Sequence, residues 1–497
     1  MTFGELLQGV EHRLILGNLN AAVRDVAYDS RKAGPAMLFV CLPGSVADGH
    51  NFVRSAYERG TRLFLCQREP EDLAALDGVT LVLTENTRRA LALISARHFD
   101  YPARRLKFVG ITGTKGKTST SFMLKSIFEC AGHPAGLIGS NGVYYSDVYF
   151  KLPNTTPESY ELHRILKDMA DAGIEYCFLE ATSQGFYLHR TEGIHFDLAL
   201  YTNISPDHIS KTEHPTFEHY FNCKKMIFSQ ADFCFVNRDA ELFDEIVRDV
   251  PCAVQTYGFD ARADYRAKDI RCEMNGNKMT VSFLCQTPRW ERSLRIPIPG
   301  EFSASNALAA VCISDYFGIA QEPIAEGLLS AVIKGRMELV EVPAPFTVMI
   351  DFAHNKLSVR SLMDTIKKYN PRRTICVFGL EGNRAHIRRF DSGEILGKTA
   401  DLTILANASP RTDDPNQILA DIATGIERSG GNYTIIPDRR EAIRFALNQA
   451  RDGDLILLVG KGNVPYEEVN GVNIPFSERA VVDEFFAERR KAGRAIT

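Results

Sequence analysis

A short glycine-rich segment, Gly113 to Thr118, combines the residue types that bind nucleotide phosphates. Its glycines leave the backbone free to wrap its N–H groups around phosphate oxygens. Lys117 supplies positive charge for the terminal phosphates, and the hydroxyl of Thr118 suits a magnesium ligand. Ile111 stands where the standard phosphate-loop pattern has its first glycine, so only the shorter form G-T-K-G-K-T is present. A plain glycine-rich turn would share this composition, but Gly-Lys-Thr in this context favours a nucleotide site.

The residues on either side predict the elements that position this segment. The apolar run Phe108 to Ile111 predicts a buried strand. A helix is expected from Ser119 onward, with Gly132 as its stop signal. The N-terminus of this helix would direct its N–H groups at the phosphates. The predicted nucleotide contacts are Gly113, Thr114, Lys115, Gly116, Lys117, Thr118 and Ser119.

Three further polar residues lie at positions where they could take part in chemistry. Glu180 ends an apolar strand, and a magnesium ligand is expected at a strand end in a phosphate-loop sheet. His208 follows a later strand, and from the residues alone it could bind metal, cap a helix or fill a loop. Lys224 lies one helical turn after Tyr220, where a lysine is normally solvated. These residues indicate a nucleotide and do not identify a reaction.

Length and composition limit the class of protein. A chain of 497 residues is expected to form two or three domains, and 45% hydrophobic with 24% charged residues is typical of a soluble globular protein. A formal charge of −4 argues against a nucleic-acid or membrane-surface protein. We expect neither a membrane span nor a signal peptide, because no apolar run is long enough and the first residues lack a basic start. The 11 cysteines include no C-x-x-C pair, which predicts free thiols in a reducing cytoplasm.

Strands and helices alternate along the chain, which predicts an α/β protein. We predict a small N-terminal α/β domain at 1–102, a central parallel sheet at 103–334 and a doubly wound C-terminal domain at 335–497. In the first domain, Ser30 and the polar residues after Gly44 could face a ligand. Spacing alone favours ordinary loop polarity for them.

Taken together, these motifs resemble the Mur ligases of peptidoglycan synthesis over nearly the whole chain. Within that family the chain is most similar to the MurE type, which adds the third amino acid to UDP-N-acetylmuramoyl-L-alanyl-D-glutamate. The N-terminal D-S-R, L-F-V-x-x-x-G and D-G-H motifs resemble the uridine-binding domain of that type. The family's phosphate loop also lacks the first glycine. The resemblance implies UDP-sugar contacts by Ser30, Ser45, Val46 and Ala47.

The resemblance also assigns roles in the central, P-loop ATPase-like domain. Glu180 matches the magnesium-binding glutamate of E-V-S-S-H, which here reads E-A-T-S-Q because Gln184 replaces the histidine. His208 matches the histidine of N-x-x-x-D-H, which approaches a second magnesium, and Thr118 is the third implied ligand. Lys224 matches a carbamylated lysine, whose modification replaces a positive charge by a negative one. The implied substrate contacts are Asn154, Thr155, Thr156, Thr182, Ser183 and Arg190.

The resemblance implies two further groups of residues, all but Asn306 in the Rossmann-like C-terminal domain. Asn306 and Arg336 match adenine-side and ADP-side contacts, and Asp351 with His354 matches the nucleoside-binding D-Y-A-H. The implied amino-acid pocket comprises Arg384, Ser409, Pro410, Arg411 and Gly460.

This pocket departs from the family pattern at two positions. The aspartate of D-N-P-R is here Ala408, and the glutamate of G-K-G-x-E, which contacts the distal amine, is Val464. Arg384 and Arg411, which match carboxylate-binding arginines, are kept. We therefore predict a pocket that binds two carboxylates and recognises the distal amine weakly or not at all. Diaminopimelate or a related diacid is favoured over L-lysine, although the stretch 205–220 resembles lysine-adding enzymes.

The implied reaction uses ATP and Mg²⁺ as cofactors. The carboxylate of the UDP-dipeptide attacks the γ-phosphate to give an acyl phosphate, and the amine of a free amino acid then displaces phosphate. The catalytic residues would be Lys117, Glu180, His208 and Lys224, with closure of the C-terminal domain excluding water. We expect a cytoplasmic monomer that binds neither nucleic acid nor membrane.

Two other functions are compatible with parts of the pattern. A folylpolyglutamate-synthase-like ligase would share the central and C-terminal domains, but it would not need the N-terminal D-S-R and D-G-H motifs. A non-catalytic paralogue that binds nucleotide or UDP-sugar would explain the altered Gln184, Ala408 and Val464. The intact set of Lys117 and Lys224 with the other predicted catalytic residues argues against it.

Overall fold

Two compact units make up the computed structural model of the chain, which describes residues 1–44, 47–71, 76–207, 209–210, 213–275 and 278–491. The first unit contains Met1–Asp264 and Ala309–Ile324, and the second contains Tyr265–Leu308 and Ala325–Thr497. The architecture is α/β throughout, as predicted. The boundaries proposed for the three domains stay predictions.

A small, mostly parallel sheet forms at the N-terminus of the first unit, in the order β1-β5-β4-β3-β2 with only β1 antiparallel to its neighbour. Its strands are β1 (Arg13–Leu16), β2 (Asp25–Ala27), β3 (Met37–Val40), β4 (Leu63–Cys66) and β5 (Thr80–Leu83). Its helices are α1 (Phe3–Leu6), α2 (Val53–Glu58) and α3 (Thr87–His98). Strands β3 and β4 are fully buried.

The larger sheet of the first unit has the order β13-β12-β11-β6-β10-β7-β8-β9. Its strands are β6 (Lys107–Thr112), β7 (Ala135–Gly139), β8 (Gly142–Tyr145), β9 (Val148–Phe150), β10 (Tyr176–Glu180), β11 (Leu198–Tyr201), β12 (Phe233–Asn237) and β13 (Ala253–Gly258). Its helices are α4 (Lys117–Cys130), α5 (Ser159–Asp171), α6 (Ser183–Tyr187), α7 (Phe217–Lys225) and α8 (Phe243–Val247). Strand β6 pairs in parallel with β10 and β11, so the carboxyl ends of all three meet at one edge.

The second unit contains a doubly wound sheet in the order β17-β18-β22-β19-β20-β21. The antiparallel strands that precede it are β14 (Tyr265–Asn275), β15 (Lys278–Gln286) and β16 (Glu291–Ile296). The sheet strands are β17 (Glu338–Val340), β18 (Thr347–Asp351), β19 (Arg373–Phe378), β20 (Leu402–Leu405), β21 (Tyr433–Ile435) and β22 (Asp454–Val459), and β23 (Tyr466–Val469) with β24 (Val472–Pro475) forms a hairpin.

Helices cover both faces of this C-terminal sheet, which confirms the Rossmann-like prediction. Helices α9 (Glu301–Tyr316) and α10 (Gln321–Ser330) have residues in both units. The remaining helices are α11 (Lys356–Lys367), α12 (Ile387–Thr399), α13 (Pro415–Arg428), α14 (Arg439–Gln449) and α15 (Glu478–Lys491). One apolar core lies between the sheet and α11–α13, and a second lies between the sheet and α14–α15. None of the described helices has the length and apolar character needed to cross a membrane.

The buried imidazole of His163 on α5 makes stability depend on pH. It is 1% exposed, neither ring nitrogen has a hydrogen-bond partner among the described residues, and burial lowers its pKa to about 4. Between pH 6.5 and 4 the unfolded chain binds a proton at this residue and the folded chain does not. Stability is therefore lost as the pH falls through this range, by up to about 3 kcal/mol at 1.36 kcal/mol per pKa unit.

We predict that His163→Leu removes this part of the acid sensitivity. The thermal midpoint of the variant should fall less than that of the wild type between pH 6.5 and 4 in scanning calorimetry. His195→Leu, at an exposed histidine, is the matched control and should follow the wild type. Parallel curves for His163→Leu and the wild type would contradict the prediction.

Candidate active site

The glycine-rich segment forms a tight loop between β6 and α4. Gly113 and Gly116 adopt left-handed φ angles of 139° and 90°, which glycine accepts without strain. A Cβ at Gly113 would also overlap Oγ1 of Thr202 just after β11. Helix α4 begins without a side-chain cap from the described residues. N–H groups at a helix N-terminus favour an anion, and phosphate binding at this one stays a prediction.

Asn203 supports the loop from the neighbouring strand. Its Oδ1 accepts from the N–H of Lys115 at 2.9 Å, and its Nδ2 donates to the carbonyl of the same residue at 3.0 Å. Its carbonyl accepts from the N–H of Thr114 at 3.0 Å. The Lys115 ammonium also lies 3.4 Å from Asp207. The predicted N-x-x-x-D motif thus holds the loop, while His208 lies outside the described residues.

Glu180 is fully buried at the end of β10, beside the loop. Its Oε2 accepts hydrogen bonds from the hydroxyls of Thr118 at 2.9 Å and Ser140 at 3.0 Å, and its Oε1 accepts from the Ser140 N–H at 3.2 Å. Burial raises the pKa of this carboxyl, and the Lys117 charge with these hydrogen bonds opposes the shift. A Cβ at Gly139 would overlap Oε1. A buried carboxylate next to a threonine hydroxyl is the donor set of a hard cation such as Mg²⁺.

Lys224 on α7 is buried rather than solvated, so the expectation from its helical position alone is wrong. It is 2% exposed, and its Nζ donates to the carbonyl of Gly113 at 2.9 Å. Lys117 Nζ donates to the same carbonyl at 2.7 Å. Burial, and then the nearby Lys117 charge, lower the pKa of Lys224 well below its usual range. Tyr220, one turn earlier, contacts the loop through its hydroxyl, 2.9 Å from Oγ1 of Thr114.

The segment predicted to contact the dipeptide, Asn154 to Thr156, lies beside Glu180. Thr156 Oγ1 donates to the Glu180 carbonyl at 2.8 Å and accepts from the N–H of Thr182 at 3.0 Å. Thr155 Oγ1 lies 3.0 Å from the serine hydroxyl that donates to the Glu180 carboxylate. The structure therefore joins this segment to the predicted metal ligand.

Arg190 lies in an ion network that ties this segment to the N-terminal sheet. It donates to the carbonyl of Thr156 at 2.9 Å, and its Nη2 lies 2.7 Å from Glu158. The other carboxylate oxygen of Glu158 pairs with Arg88 at 3.1 Å, and Arg88 donates to the carbonyl of Pro43. Arg190 is thus a positioning residue in the structure, and its contact with substrate stays a prediction.

The N-terminal motifs surround the loop that follows Pro43. Ser30 is buried at the start of a short turn, and Ala47 is exposed. Nδ1 of His50 lies 2.6 Å from the Asp48 carboxylate, and its Nε2 accepts from the N–H of Gln67 at 2.9 Å, so the D-G-H motif is bonded to the residue that follows β4. Outside the described residues lie Ser45 and Val46. Their contacts with a UDP-sugar stay predictions.

A histidine pair that the sequence reasoning missed lies next to Ser183. Nε2 of His214 is 2.9 Å from the Ser183 hydroxyl, and its Nδ1 is 2.9 Å from Nδ1 of His219. The imidazole at this serine therefore comes from position 214, whereas position 184 carries glutamine. The i, i+4 spacing of His219 and Cys223 was the only signal in the sequence, and it does not extend to His214.

In the second unit, three predicted nucleoside contacts converge after β18. Asp351 is buried and accepts from two backbone N–H groups at 2.7 and 2.8 Å; burial raises its pKa and the Arg336 charge opposes this. Arg336 lies over the Phe352 ring at 4.7 Å, and burial lowers the pKa of His354 to about 4. No hydrogen bond or ion pair of the described residues joins the buried Asn306 to this group.

The two arginines predicted to bind carboxylate already share an acidic partner. Nη2 of Arg411 lies 3.2 Å from Oε2 of Glu381, and Nη2 of Arg384 lies 3.5 Å from the same oxygen. Arg411 Nε is 3.2 Å from the carboxylate of Glu468. The N–H of Glu468 donates to the Ser409 hydroxyl at 3.2 Å. Sequence reasoning missed both glutamates because it compared only the two positions where the family has acids.

Those two positions have ordinary packing roles. Ala408 is 2% exposed, and Val464 is partly buried, with its carbonyl accepting from Lys461 at 2.8 Å. Pro410 and Gly460 lie in close-packed loops, and the N–H of Gly460 donates to a strand carbonyl at 3.1 Å. Close backbone contacts therefore surround these positions, and the acidic groups near Arg411 come from other residues.

Comparisons with known proteins agree with this geometry. Three family models match: "Mur ligase family, catalytic domain" at 22–99, "Mur ligase middle domain" at 111–314 and "Mur ligase, glutamate ligase domain" at 335–462. A Caldanaerobacter subterraneus protein named UDP-N-acetylmuramoyl-L-alanyl-D-glutamate--2,6-diaminopimelate ligase is 38% identical over 99% of this chain and 100% of its own length. The chain belongs to the Mur ligase family. It is an ATP-dependent ligase that forms peptide bonds.

Other Mur ligase relatives support the same assignment. A Clostridium perfringens protein with the same name is 36% identical over 97% of this chain and 99% of its own length. A solved structure of a ligase with this name has a TM-score of 0.70 at 25% identity and covers 99% of both chains. A folylpolyglutamate synthase of Mycobacterium tuberculosis, at 17% identity and a TM-score of 0.59, covers 83% of this chain and shares the fold alone.

We predict that Gly139→Ala weakens the magnesium-dependent part of ADP binding by about tenfold or more, the usual effect of disturbing a metal ligand's surroundings. The added methyl group would displace Glu180, while the loop N–H groups are unchanged. ADP affinity should be measured by calorimetry with and without Mg²⁺. Gly34→Ala, where the nearest atom to the new Cβ is Met37 Sδ at 3.7 Å, is the control. Equal magnesium dependence in Gly139→Ala and the wild type would contradict the assignment of Glu180.

Proposed function

We propose that this Mur ligase adds the third amino acid, meso-diaminopimelate or a related diacid, to UDP-N-acetylmuramoyl-L-alanyl-D-glutamate, with hydrolysis of ATP to ADP and phosphate. The observation that carries the proposal is the convergence of Lys117, Lys224 and the buried Glu180 on one phosphate loop. Full-length relatives at 32–38% identity whose names specify this ligation support the choice of substrates.

The residues at the loop fit ATP with Mg²⁺. The N–H groups at the start of α4, which have no side-chain cap, and the ammonium of Lys117 suit the β- and γ-phosphates. Thr118 and Glu180 supply hard oxygen ligands, and His208 is a further proposed ligand. When bound, Mg²⁺ supplies neutralisation of phosphate charge. The D-S-R and D-G-H loops would bind the uridine end of the second substrate. Asn306 and Arg336 would make adenine-side and ADP-side contacts, and Asp351 and His354 would bind the nucleoside.

Lys224 suits carbamylation. Its lowered pKa favours the neutral amine, which can attack carbon dioxide to form an N–C bond and release one proton. The product is a carbamate anion in place of an ammonium. This change removes the repulsion between Lys224 and Lys117 and adds an oxygen donor beside the phosphate loop at Gly113. We therefore propose that the active form carries the carbamate.

The protein's own part in the reaction is binding and orientation. Lys117 offsets negative charge as the dipeptide carboxylate attacks the γ-phosphate, and phosphate leaves when the incoming amine attacks the acyl phosphate. Thr155 and Thr156, beside Glu180, are placed to orient that carboxylate. Because the enzyme holds the reactants in line, a step between separate molecules becomes effectively unimolecular.

We propose that this enzyme acts in the cytoplasm as a monomer. Its proposed partners are small molecules only. All 11 cysteines are free, in agreement with a reducing compartment. The N-terminal sheet and the full-length match favour this function over a folylpolyglutamate ligase. A non-catalytic paralogue would have no need of a buried Lys224 held at the phosphate loop.

We predict that the enzyme releases phosphate only when UDP-N-acetylmuramoyl-dipeptide, ATP and an acceptable amino acid are all present. A panel of meso-diaminopimelate, other diacids and L-lysine, scored by phosphate release and product mass, identifies that amino acid. Products with diaminopimelate or a related diacid are expected, because both carboxylate-binding arginines are present. Robust lysine incorporation with none for diaminopimelate would overturn the substrate assignment, and no product with any amino acid would favour the non-catalytic paralogue.

We predict that Lys224→Ala lowers the ligation rate by at least about a hundredfold, as expected when a group that stabilises transition-state charge is removed. Formate, acetate or propionate should restore part of the rate by supplying the missing carboxylate. Lys225→Ala is the matched control, because that ammonium donates to the carbonyls of Glu245 and Arg248 instead. Full activity in Lys224→Ala would refute the catalytic role, and an inactive variant that no carboxylate rescues would refute the carbamate.

A further inference from the structure

A mixed cluster of charges surrounds Arg411 in the second unit. Glu381 lies between the guanidinium groups of Arg411 and Arg384, at 3.2 and 3.5 Å from a single carboxylate oxygen. Glu468 approaches Arg411 from the other side, 3.2 Å from its Nε. Two arginines and two glutamates therefore share one site. Such a site complements a group that itself carries both charges.

Glu468 is held at this place by the main chain. The N–H of Arg411 donates to the carbonyl of Glu468 at 2.9 Å, and the N–H of Asn470 donates to the carbonyl of Arg411 at 2.8 Å. Ser409 accepts from the N–H of Glu468 at 3.2 Å. Strand β23 is thus bonded directly to the segment that contains the carboxylate-binding arginine. The position of the acid relative to the arginine is fixed by backbone geometry.

The two glutamates differ in how many interactions their carboxylates already make with the arginines. Glu381 faces two guanidinium groups through one oxygen and accepts a hydrogen bond from Arg411. The approach of Arg411 Nε to Glu468 is an ion pair without hydrogen-bond geometry, and this buried Nε has no hydrogen-bond partner among the described residues. The Glu468 side chain is 34% exposed. Glu468 is consequently the acid with capacity for an additional cation.

We propose that Glu468 binds the distal ammonium of a diaminopimelate-type substrate while Arg411 and Arg384 bind its distal carboxylate. Glu381 is a positioning residue that holds the two arginines side by side. The inference rests on the function proposed above and assigns the specificity for the substrate's far end. The distal carbon of diaminopimelate bears an ammonium and a carboxylate, so a neighbouring arginine and glutamate match both charges.

This assignment replaces the sequence-based prediction of weak amine recognition. That prediction followed from Ala408 and Val464, where the acids of the family pattern are absent. The structure places two acids beside Arg411 instead, one from β23 and one from the loop after β19. An ammonium desolvated beside Ala408 and Val464 alone would lack a partner, whereas Glu468 supplies one without displacing either arginine.

The test compares meso-diaminopimelate with L-2-aminopimelate, which keeps the chain and distal carboxylate but lacks the distal amine. The wild type should prefer meso-diaminopimelate by about tenfold or more in kcat/KM, the size expected for one charge-assisted hydrogen bond. Glu468→Gln should raise the KM for meso-diaminopimelate about tenfold while changing kcat/KM for L-2-aminopimelate by less than about twofold.

Glu467→Gln is the matched control, because the adjacent side chain on β23 faces the other side of the strand, towards Arg439 and Lys461. It should keep the wild-type preference. Equal losses with both substrates in Glu468→Gln would indicate a structural role and overturn the inference. A wild type that does not discriminate between the two substrates would also overturn it, whether or not the variant folds. Failure of the wild type to ligate any amino acid would instead overturn the proposed function.

Discussion

The burial of the Glu180 carboxylate is the constraint on which the nucleotide site depends. A carboxylate without solvent contact costs several kcal/mol unless hydrogen bonds and nearby charge offset the loss of hydration. Thr118 and Ser140 provide the hydrogen bonds, and Lys117 provides the charge. Because Thr118 belongs to the phosphate loop, the loop must close against the end of β10. The absence of a side chain at Gly139 provides the space.

A second constraint is the electrostatic repulsion between two lysines that donate to the same carbonyl. Lys117 and Lys224 both donate to Gly113, and each disfavours the other's charge. A carbamate on Lys224 would remove this repulsion. The arrangement therefore disfavours the charged lysine and favours the modified one. The ion network through Glu158 then aligns the N-terminal loop with the dipeptide segment. Interactions between charged groups, more than any single catalytic side chain, therefore connect the phosphate loop, the dipeptide segment and the N-terminal sheet.

Much of the secondary structure could be predicted from local sequence pattern. Apolar runs with glycine stops predict β6, α4 and the doubly wound sheet, because burial and turn chemistry act over short distances. The sequence pattern could not reveal that Lys224 is buried, because burial depends on how α7 packs against a loop more than 100 residues away. Ser140, His214 and Glu468 were missed for the same reason. Each is near its partner only through the topology of the sheet.

The transfer of oxygen from the dipeptide carboxylate to phosphate tests the central claim most directly. UDP-N-acetylmuramoyl-L-alanyl-D-glutamate labelled with ¹⁸O in its terminal carboxylate would be incubated with the enzyme, ATP, Mg²⁺ and meso-diaminopimelate. An acyl phosphate mechanism predicts one ¹⁸O atom in each inorganic phosphate released, seen by mass spectrometry. Release of unlabelled phosphate together with peptide product would contradict activation of that carboxylate by the loop around Glu180 and Lys224.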